Sequence, residues 1–137
     1  MKVRYGLRTM IEISTHESSS GILQKEISAT QEIPIKFLDS IISSLRNSGL
    51  IINYSGKRSG YVLAKHPTKI SVYDVYRAFE PELALVDCSE RGNICNLIDS
   101  CYAKDYWLEL NNEIINKMKS SNLDLLVKRK KYPLNTN

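Results

Sequence analysis

PIKFLDSIISSLRNSG at residues 34–49, followed by LIINY at 50–54 and YVLA at 61–64, is the stretch that decides the fold. Ile35, Leu38, Ile41, Ile42 and Leu45 recur at helical spacing and define one apolar face. Pro34 suits the first position of a helix, where its missing N–H costs nothing. Gly49 suits the residue just past a helix end. The spacing predicts a helix over 34–48. The two β-type runs are joined by Ser55-Gly56-Lys57-Arg58-Ser59-Gly60, and a Gly-containing loop between two such runs makes a hairpin.

Upstream, Tyr5, Leu7, Met10, Ile11 and Ile13 predict a helix over 2–16. The polar run His16 to Gly21 breaks it. A short helix follows from Leu23 to about Gln31, with Leu23 and Ile27 inward, and Ile33-Pro34 makes the turn into the longer helix. Helix, short helix, turn, longer helix and hairpin are the order of a winged helix-turn-helix. Downstream, Ser71 caps a helix running to about Phe79, with Asp74 at capping-box spacing. Residues 85–101 show no clear period. A longer helix spans 102–120, where Trp107, Leu110, Ile114 and Met118 form an apolar stripe with Leu108 and Ile115 beside it.

The predicted fold class is therefore mainly α with a small β-hairpin wing: a winged helix-turn-helix plus a long C-terminal dimerisation helix. Residues 1–80 are the DNA-binding domain and 81–101 a cysteine-bearing loop. Residues 102–126 are the dimerisation region, in which Trp107, Leu110, Ile114 and Met118 contact a second copy or, alternatively, pack within their own chain. Residues 127–137, with the basic run from Lys128 to Lys131, are expected to be a frayed, disordered tail.

The 137 residues suit one domain with an appended element and need no disulfide staples. An apolar fraction of 42% is ordinary for a globular protein. Nineteen Lys and Arg against fifteen Asp and Glu give +4, mild enough that only the distribution of charge argues for nucleic acid. No apolar run approaches the length of a membrane span, and no signal-peptide pattern opens the chain, so a cytoplasmic protein without a membrane partner is expected. There is no Ser-His-Asp set and no Gly-rich phosphate loop. His16 and His66 fall in loops, so an enzyme is not expected.

The helix at 34–48 would enter the major groove by its N-terminal part. Its apolar face leaves Lys36, Phe37, Asp39 and Ser40 outward. Lys36 can meet a phosphate or a guanine edge, Asp39 can accept from cytosine N4, and Ser40 can read either edge. Lys57 and Arg58 at the wing tip can reach the adjacent minor groove. Lys2, Arg4 and Tyr5 add to this surface from the first helix. The partner is a double-stranded DNA operator, and two reading helices of a homodimer would meet half-sites about one helical turn apart.

Cys88, Cys95 and Cys101 are spaced Cys-x6-Cys-x5-Cys. Structural zinc sites use tighter Cys pairs, and dithiol redox motifs use Cys-x-x-Cys. In a reducing compartment, clustered thiols point to a ligand set or a redox sensor. A widely spaced set can wrap an iron–sulfur cluster. The bland alternative is that some are small core residues, Cys88 above all, since it follows Ala84-Leu85-Val86.

At this point the chain resembles the IscR/NsrR-type winged-helix regulators, the Rrf2 family, from Lys2 to about Leu126. The resemblance rests on Arg4-Tyr5-Gly6-Leu7-Arg8, Phe37-Leu38-Asp39-Ser40-Ile41, Leu45-Arg46-Asn47-Ser48-Gly49-Leu50, Gly56-Lys57-Arg58-Ser59-Gly60-Tyr61, Leu83 to Cys88 and Cys101 to Trp107. It implies a homodimeric bacterial transcription regulator, such as a repressor. It also implies that Cys88, Cys95 and Cys101 hold a 2Fe–2S or 4Fe–4S cluster whose state reports iron–sulfur supply, redox stress or nitric oxide. The chain departs from the family pattern in several places. Among them is a first helix a few residues short, in which no acid precedes Glu12 and Arg4 lies near the position from which some members lend a carboxylate to the partner. Cys88 and Cys95 are one residue further apart than usual, and Lys104 stands where some members carry a ligand histidine. The wing has lost one glycine, and Leu23 replaces a Ser cap. The fourth ligand stays open among Asp87, Glu90, Asp99, Asp105, a partner-chain group, a small thiol or water. The alternatives are a cluster-free member acting through thiol oxidation or a protein partner, and an iron–sulfur carrier.

Overall fold

The computed structural model describes residues 2–16, 19–56, 59–86 and 95–131, with backbone alone at 130 and 131. Three helices come first: α1 (Lys2–Thr15), α2 (Gln24–Gln31) and α3 (Ile35–Asn47). The strands β1 (Ile51–Asn53) and β2 (Tyr61–Leu63) form an antiparallel hairpin in which Ile51 faces Leu63 and Asn53 faces Tyr61. A single 3-10 turn, Pro67–Lys69, leads to α4 (Val72–Arg77), and α5 (Lys104–Ser120) and α6 (Leu123–Lys131) follow. This agrees with the winged-helix architecture expected from the sequence.

The helix-turn-helix turn is built from backbone hydrogen bonds. Glu32 takes the left-handed conformation (φ 53°), so the Ile33 N–H reaches the Ser28 carbonyl at 3.1 Å and the Ile33 side chain is buried. At the end of α3 the same device uses a glycine. Gly49 sits at φ 72°, with Gly49 N–H on the Arg46 carbonyl (3.0 Å) and Leu50 N–H on the Leu45 carbonyl (3.1 Å). That is a Schellman ending, which carries Leu50 into the core and starts the wing.

Leu38, Ile41, Ile42 and Leu45 of α3 are buried against Met10, Ile13, Ile27, Ile33, Ile51, Ile70 and Val75. Each such side chain contributes about 1.5–3 kcal/mol by leaving water. Two inward assignments are corrected. Ile35 is 44% exposed because it is the first residue of α3, directly after its N-cap Pro34, and only from Leu38 onward does the helix meet the core. Leu23 is 46% exposed because it is the N-cap of α2; the Glu26 carboxylate accepts its N–H at 2.7 Å. In α1 the buried face runs through Gly6, Thr9, Met10 and Ile13, and Tyr5, Leu7 and Ile11 are half-buried at its margins.

The capping box at Ser71 is present: Ser71 Oγ accepts from Asp74 N–H (3.0 Å), and Asp74 accepts from Ser71 N–H (2.9 Å). The start of α6 is stitched to this same point by Val72 N–H to the Ser121 carbonyl (2.7 Å) and Leu123 N–H to the Ile70 carbonyl (3.1 Å). Leu123 is fully buried. Residues 127–131, read from sequence as the beginning of a disordered tail, therefore continue a helix that packs on α1. Residues 132–137 lie outside the described residues.

Candidate nucleic-acid interface and cysteine segment

The turn at Glu32–Pro34 brings the start of α3 to the surface beside the start of α2. Lys36 and Asp39 are exposed there, and Phe37 and Ser40 are half-buried. Tyr5 of α1 meets Phe37 edge-to-face with ring centroids 5.3 Å apart. The guanidinium groups of Arg4 and Arg8 each lie 5.6 Å from the Tyr5 ring centre. Lys2 and Arg4 are exposed on the same helix. Tyr5 and Phe37 thus hold α1 against α3, while Lys2, Arg4 and Lys36 supply exposed cationic charge. Among the described residues the one ion pair is Asp124–Lys128, so none of these three is spent on a carboxylate.

Other polar groups at this surface are already engaged. Ser40 Oγ donates to the Phe37 carbonyl at 2.9 Å, which leaves its lone pairs to accept. The reading of Ser40 therefore narrows to hydrogen-bond donors. Arg8 donates through Nε to Gln31 Oε1 (3.1 Å) and also to the Gln31 carbonyl, and Gln31 Nε2 donates to Glu12 Oε2 (2.6 Å). Arg8 is a lock on the C-terminal end of α2, where a cation meets the negative end of the helix dipole. Asp39 Oδ1 accepts from Gln24 Nε2. Sequence reasoning missed this last pair, because nothing in the spacing links residues fifteen positions apart.

The wing is placed by backbone contact. Ile22 and Tyr61 exchange both of their N–H groups, at 3.1 and 2.8 Å, adding a bridge to the outer edge of β2. A Cβ on Gly60 would lie 2.4 Å from the Gly21 carbonyl carbon, so only glycine allows this approach. Lys57 and Arg58, expected at the wing tip, lie outside the described residues.

Cys95 and Cys101 are both free and exposed. Between them, Ile98 N–H bonds to the Cys95 carbonyl and Ser100 N–H to the Leu97 carbonyl, each at 3.0 Å, making two turns that lead into α5. Neither cysteine is a core residue, which removes the packing alternative for these two. Cys88, with Asp87 and Glu90, lies outside the described residues. Among the described residues no three His, Cys, Asp or Glu side chains form a group able to hold a metal. As accessible thiols on one turn segment, Cys95 and Cys101 are of the donor type that an iron–sulfur cluster takes.

The upstream approach to this segment is clamped to α5. Asn111 Oδ1 accepts from Leu85 N–H at 2.9 Å, and its Nδ2 donates to the Leu83 carbonyl at 3.0 Å. A side-chain amide thus takes the place of a neighbouring strand. Ala84, Leu85, Val86, Trp107, Leu108 and Asn111 line a small half-open pocket of about 40 Å3 beside it. Trp107 therefore touches its own chain, although it remains 38% exposed. Leu110, Ile114 and Met118 are half-buried, and α5 contains no fully buried residue. A signal for Asn111 existed: an amide one turn beyond Trp107, on an apolar stripe, needs partners.

Residues 1–129 match the Rrf2 family, described as an iron-dependent transcriptional regulator. The chain is 32% identical over 120 residues to the protein rrf2 of Nitratidesulfovibrio vulgaris, covering 88% of this chain and 80% of that protein. It is 29% identical over 129 residues to the HTH-type transcriptional regulator IscR of Pectobacterium atrosepticum, covering 94% and 78%. Its fold is similar to the solved structure of CymR, the global cysteine regulator of B. subtilis, with a TM-score of 0.78, 29% identity and coverage of 93% and 94%. The helix-turn-helix, the wing and these matches together place the chain in the Rrf2 family, as a DNA-binding transcriptional regulator.

Proposed function

We propose that this regulator is a cytoplasmic homodimer whose operator binding is controlled by an iron–sulfur cluster held by Cys88, Cys95 and Cys101. The observation that carries the reading is the exposure of Cys95 and Cys101 on turns that run directly into α5. Exposed thiols without a packing role are a liability unless they bind or sense something. A bound cluster supplies an iron centre whose presence, loss or oxidation is the signal. The chain's own residues do the rest. Lys2, Arg4, Lys36, Lys57 and Arg58 meet the phosphate backbone, and Asp39 and Ser40 face base edges. Trp107, Leu110, Ile114 and Met118 meet the second copy, so the spacing of two α3 helices depends on how α5 sits. The cysteine segment enters α5 at one end, and Asn111 ties the opposite approach to the same helix. Ordering that segment biases the dimer geometry, with coupling of about 1–3 kcal/mol, or 5- to 150-fold in affinity.

The test is anaerobic purification of the wild type and Cys95→Ser, with absorbance spectrum, iron and acid-labile sulfide counts, and light scattering. A brown dimer, bleached by the substitution and altered in DNA affinity on cluster loss, is the expected result. A colourless protein after reconstitution with iron and sulfide would overturn the cluster. A monomer at micromolar concentration would overturn the half-site geometry. In a second reading the chain is cluster-free, as its structural neighbour CymR is, and the exposed thiols or a protein partner carry the signal; equal DNA affinity before and after reconstitution would select it.

A further inference from the structure

We infer that Gln24 is a specificity-positioning residue that sets how Asp39 reads DNA. The inference rests on the reading of α3 as the helix that enters the major groove. Asp39 is exposed near the start of α3, beside the cation Lys36. A carboxylate facing a duplex is repelled by phosphates, so it must gain from a base edge or be turned aside. Gln24, the first residue of α2, decides between these outcomes. Its Nε2 donates to Asp39 Oδ1 and lies 3.5 Å from the Ile35 carbonyl, so it bridges two points of the first turns of α3.

The chemistry of that donor matters. An amide N–H is neutral, so it fixes the side chain and leaves the carboxylate its full charge. It uses one acceptor position out of about four on the two oxygens. A lysine partner would do the opposite, and one is at hand: Lys36 is three residues away on the same helix, at a spacing where opposite charges pair. Among the described residues the two are not paired. By holding Asp39, Gln24 keeps Lys36 free for phosphate and Asp39 free for a base. It also removes a rotamer freedom that binding would otherwise have to freeze.

The group presented is a pure acceptor. In the major groove its matches are the exocyclic amino groups, cytosine N4 foremost and adenine N6 second. Thymine O4 and guanine O6 and N7 oppose it with their own lone pairs. Ser40, whose hydroxyl proton is used on the Phe37 carbonyl, adds a second acceptor one residue on. Asp39 therefore selects an amino-bearing base at one position in each half-site, and Gln24 gives that selection its sharpness.

The experiment is selection from a randomised duplex pool with the full chain, purified anaerobically. Titration of the winning duplex and all its single-base variants follows. The proteins are wild type, Gln24→Ala, Gln24→Glu, Asp39→Ala, Lys36→Ala and the Gln24→Ala/Asp39→Ala double variant. Wild type should prefer cytosine or adenine at one half-site position by about 5- to 150-fold, the worth of one good side-chain–base contact. Asp39→Ala should erase that preference. Gln24→Ala should cut the ratio to less than about a third at the same position, and the double variant should match Asp39→Ala, as coupled neighbours do. Gln24→Glu keeps the shape, suits the first helical turn, and puts an acceptor where the donor was; it should lose the preference too. Lys36→Ala should weaken all duplexes alike. Full wild-type preference in Gln24→Ala and Gln24→Glu overturns the inference, as does an Asp39→Ala protein unchanged at every position. A wild type that favours no duplex overturns the DNA-reading role itself, which is a separate and distinguishable failure.

Discussion

Gly60→Ala should destabilise this protein far more than its chemistry suggests. The new Cβ would lie 2.4 Å from the Gly21 carbonyl carbon, 2.7 Å from its oxygen and 2.7 Å from Ile22 N. All three are backbone atoms, and carbon atoms pack at about 3.5–4.0 Å. The segment before α2 must therefore move off β2 by about 1 Å. That breaks the paired bonds between Ile22 and Tyr61, now 3.1 and 2.8 Å, at a net cost of about 0.5–1.5 kcal/mol each. Ile22 is only 2% exposed, and losing half of its burial costs about 1 kcal/mol more. Alanine recovers about 0.4–1 kcal/mol by restricting the unfolded chain. The sum is about 1–3.5 kcal/mol, a large share of the roughly 5–15 kcal/mol of a typical domain. The assay is urea unfolding followed by circular dichroism, with Gly49→Ala as the comparison. Gly49 also has a positive φ, 72°, but no atom lies within 4 Å of its missing Cβ, so its alanine variant should incur only the left-handed strain, about 1–2 kcal/mol of lost stability. Hydrogen exchange at the Ile22 and Tyr61 amides should accelerate in Gly60→Ala and not in Gly49→Ala. Equal unfolding midpoints for the two variants, or unchanged exchange at those amides, would refute the argument from close approach.

Three further outcomes follow from the same geometry. Lys36→Ala should weaken DNA binding and reduce the slope of log affinity against log salt by about 0.9 per protomer, measured by fluorescence anisotropy over a salt series. Asn111→Ala removes both bonds to Leu83 and Leu85 and should cost about 1–3 kcal/mol. It should also speed protease cleavage between residues 81 and 103 at temperatures where the core stays folded; unchanged cleavage would show that the clamp holds nothing. Leu123→Ala should cost about 2–5 kcal/mol in urea unfolding, because this fully buried side chain anchors α6.

How much was legible beforehand varies by element. The stripe of Leu38, Ile41, Ile42 and Leu45, the Gly49 ending and the two β-type runs are local signals, and the structure realises each of them. The Ser71 cap was equally plain, since a capping box is complete within four residues. Leu23 and Ile35 misled because apolar character was taken as burial; both stand at helix starts, where the chain is still leaving a turn. The run of Lys128, Arg129, Lys130 and Lys131 hid α6, because charge pointed to solvent while Leu123 supplied the anchor. Cys95 and Cys101 stand beside Asn96, Asp99 and Ser100, polar neighbours that mark a surface loop, and both thiols are exposed.

The sequence by itself determined the order of helices and hairpin, the apolar face of α3 and the candidate thiol ligands, because each is written in periodicity, caps or residue type within a few positions. Only the tertiary structure decided that Gln24 holds Asp39, that Arg8 is spent on Gln31, that Asn111 clamps residues 83–85 and that Gly60 lies against Gly21. Those pairs join residues 15 to 39 positions apart. Such contacts come from how helices cross, which is set by the packing of the whole core at once and leaves no local trace in the chain.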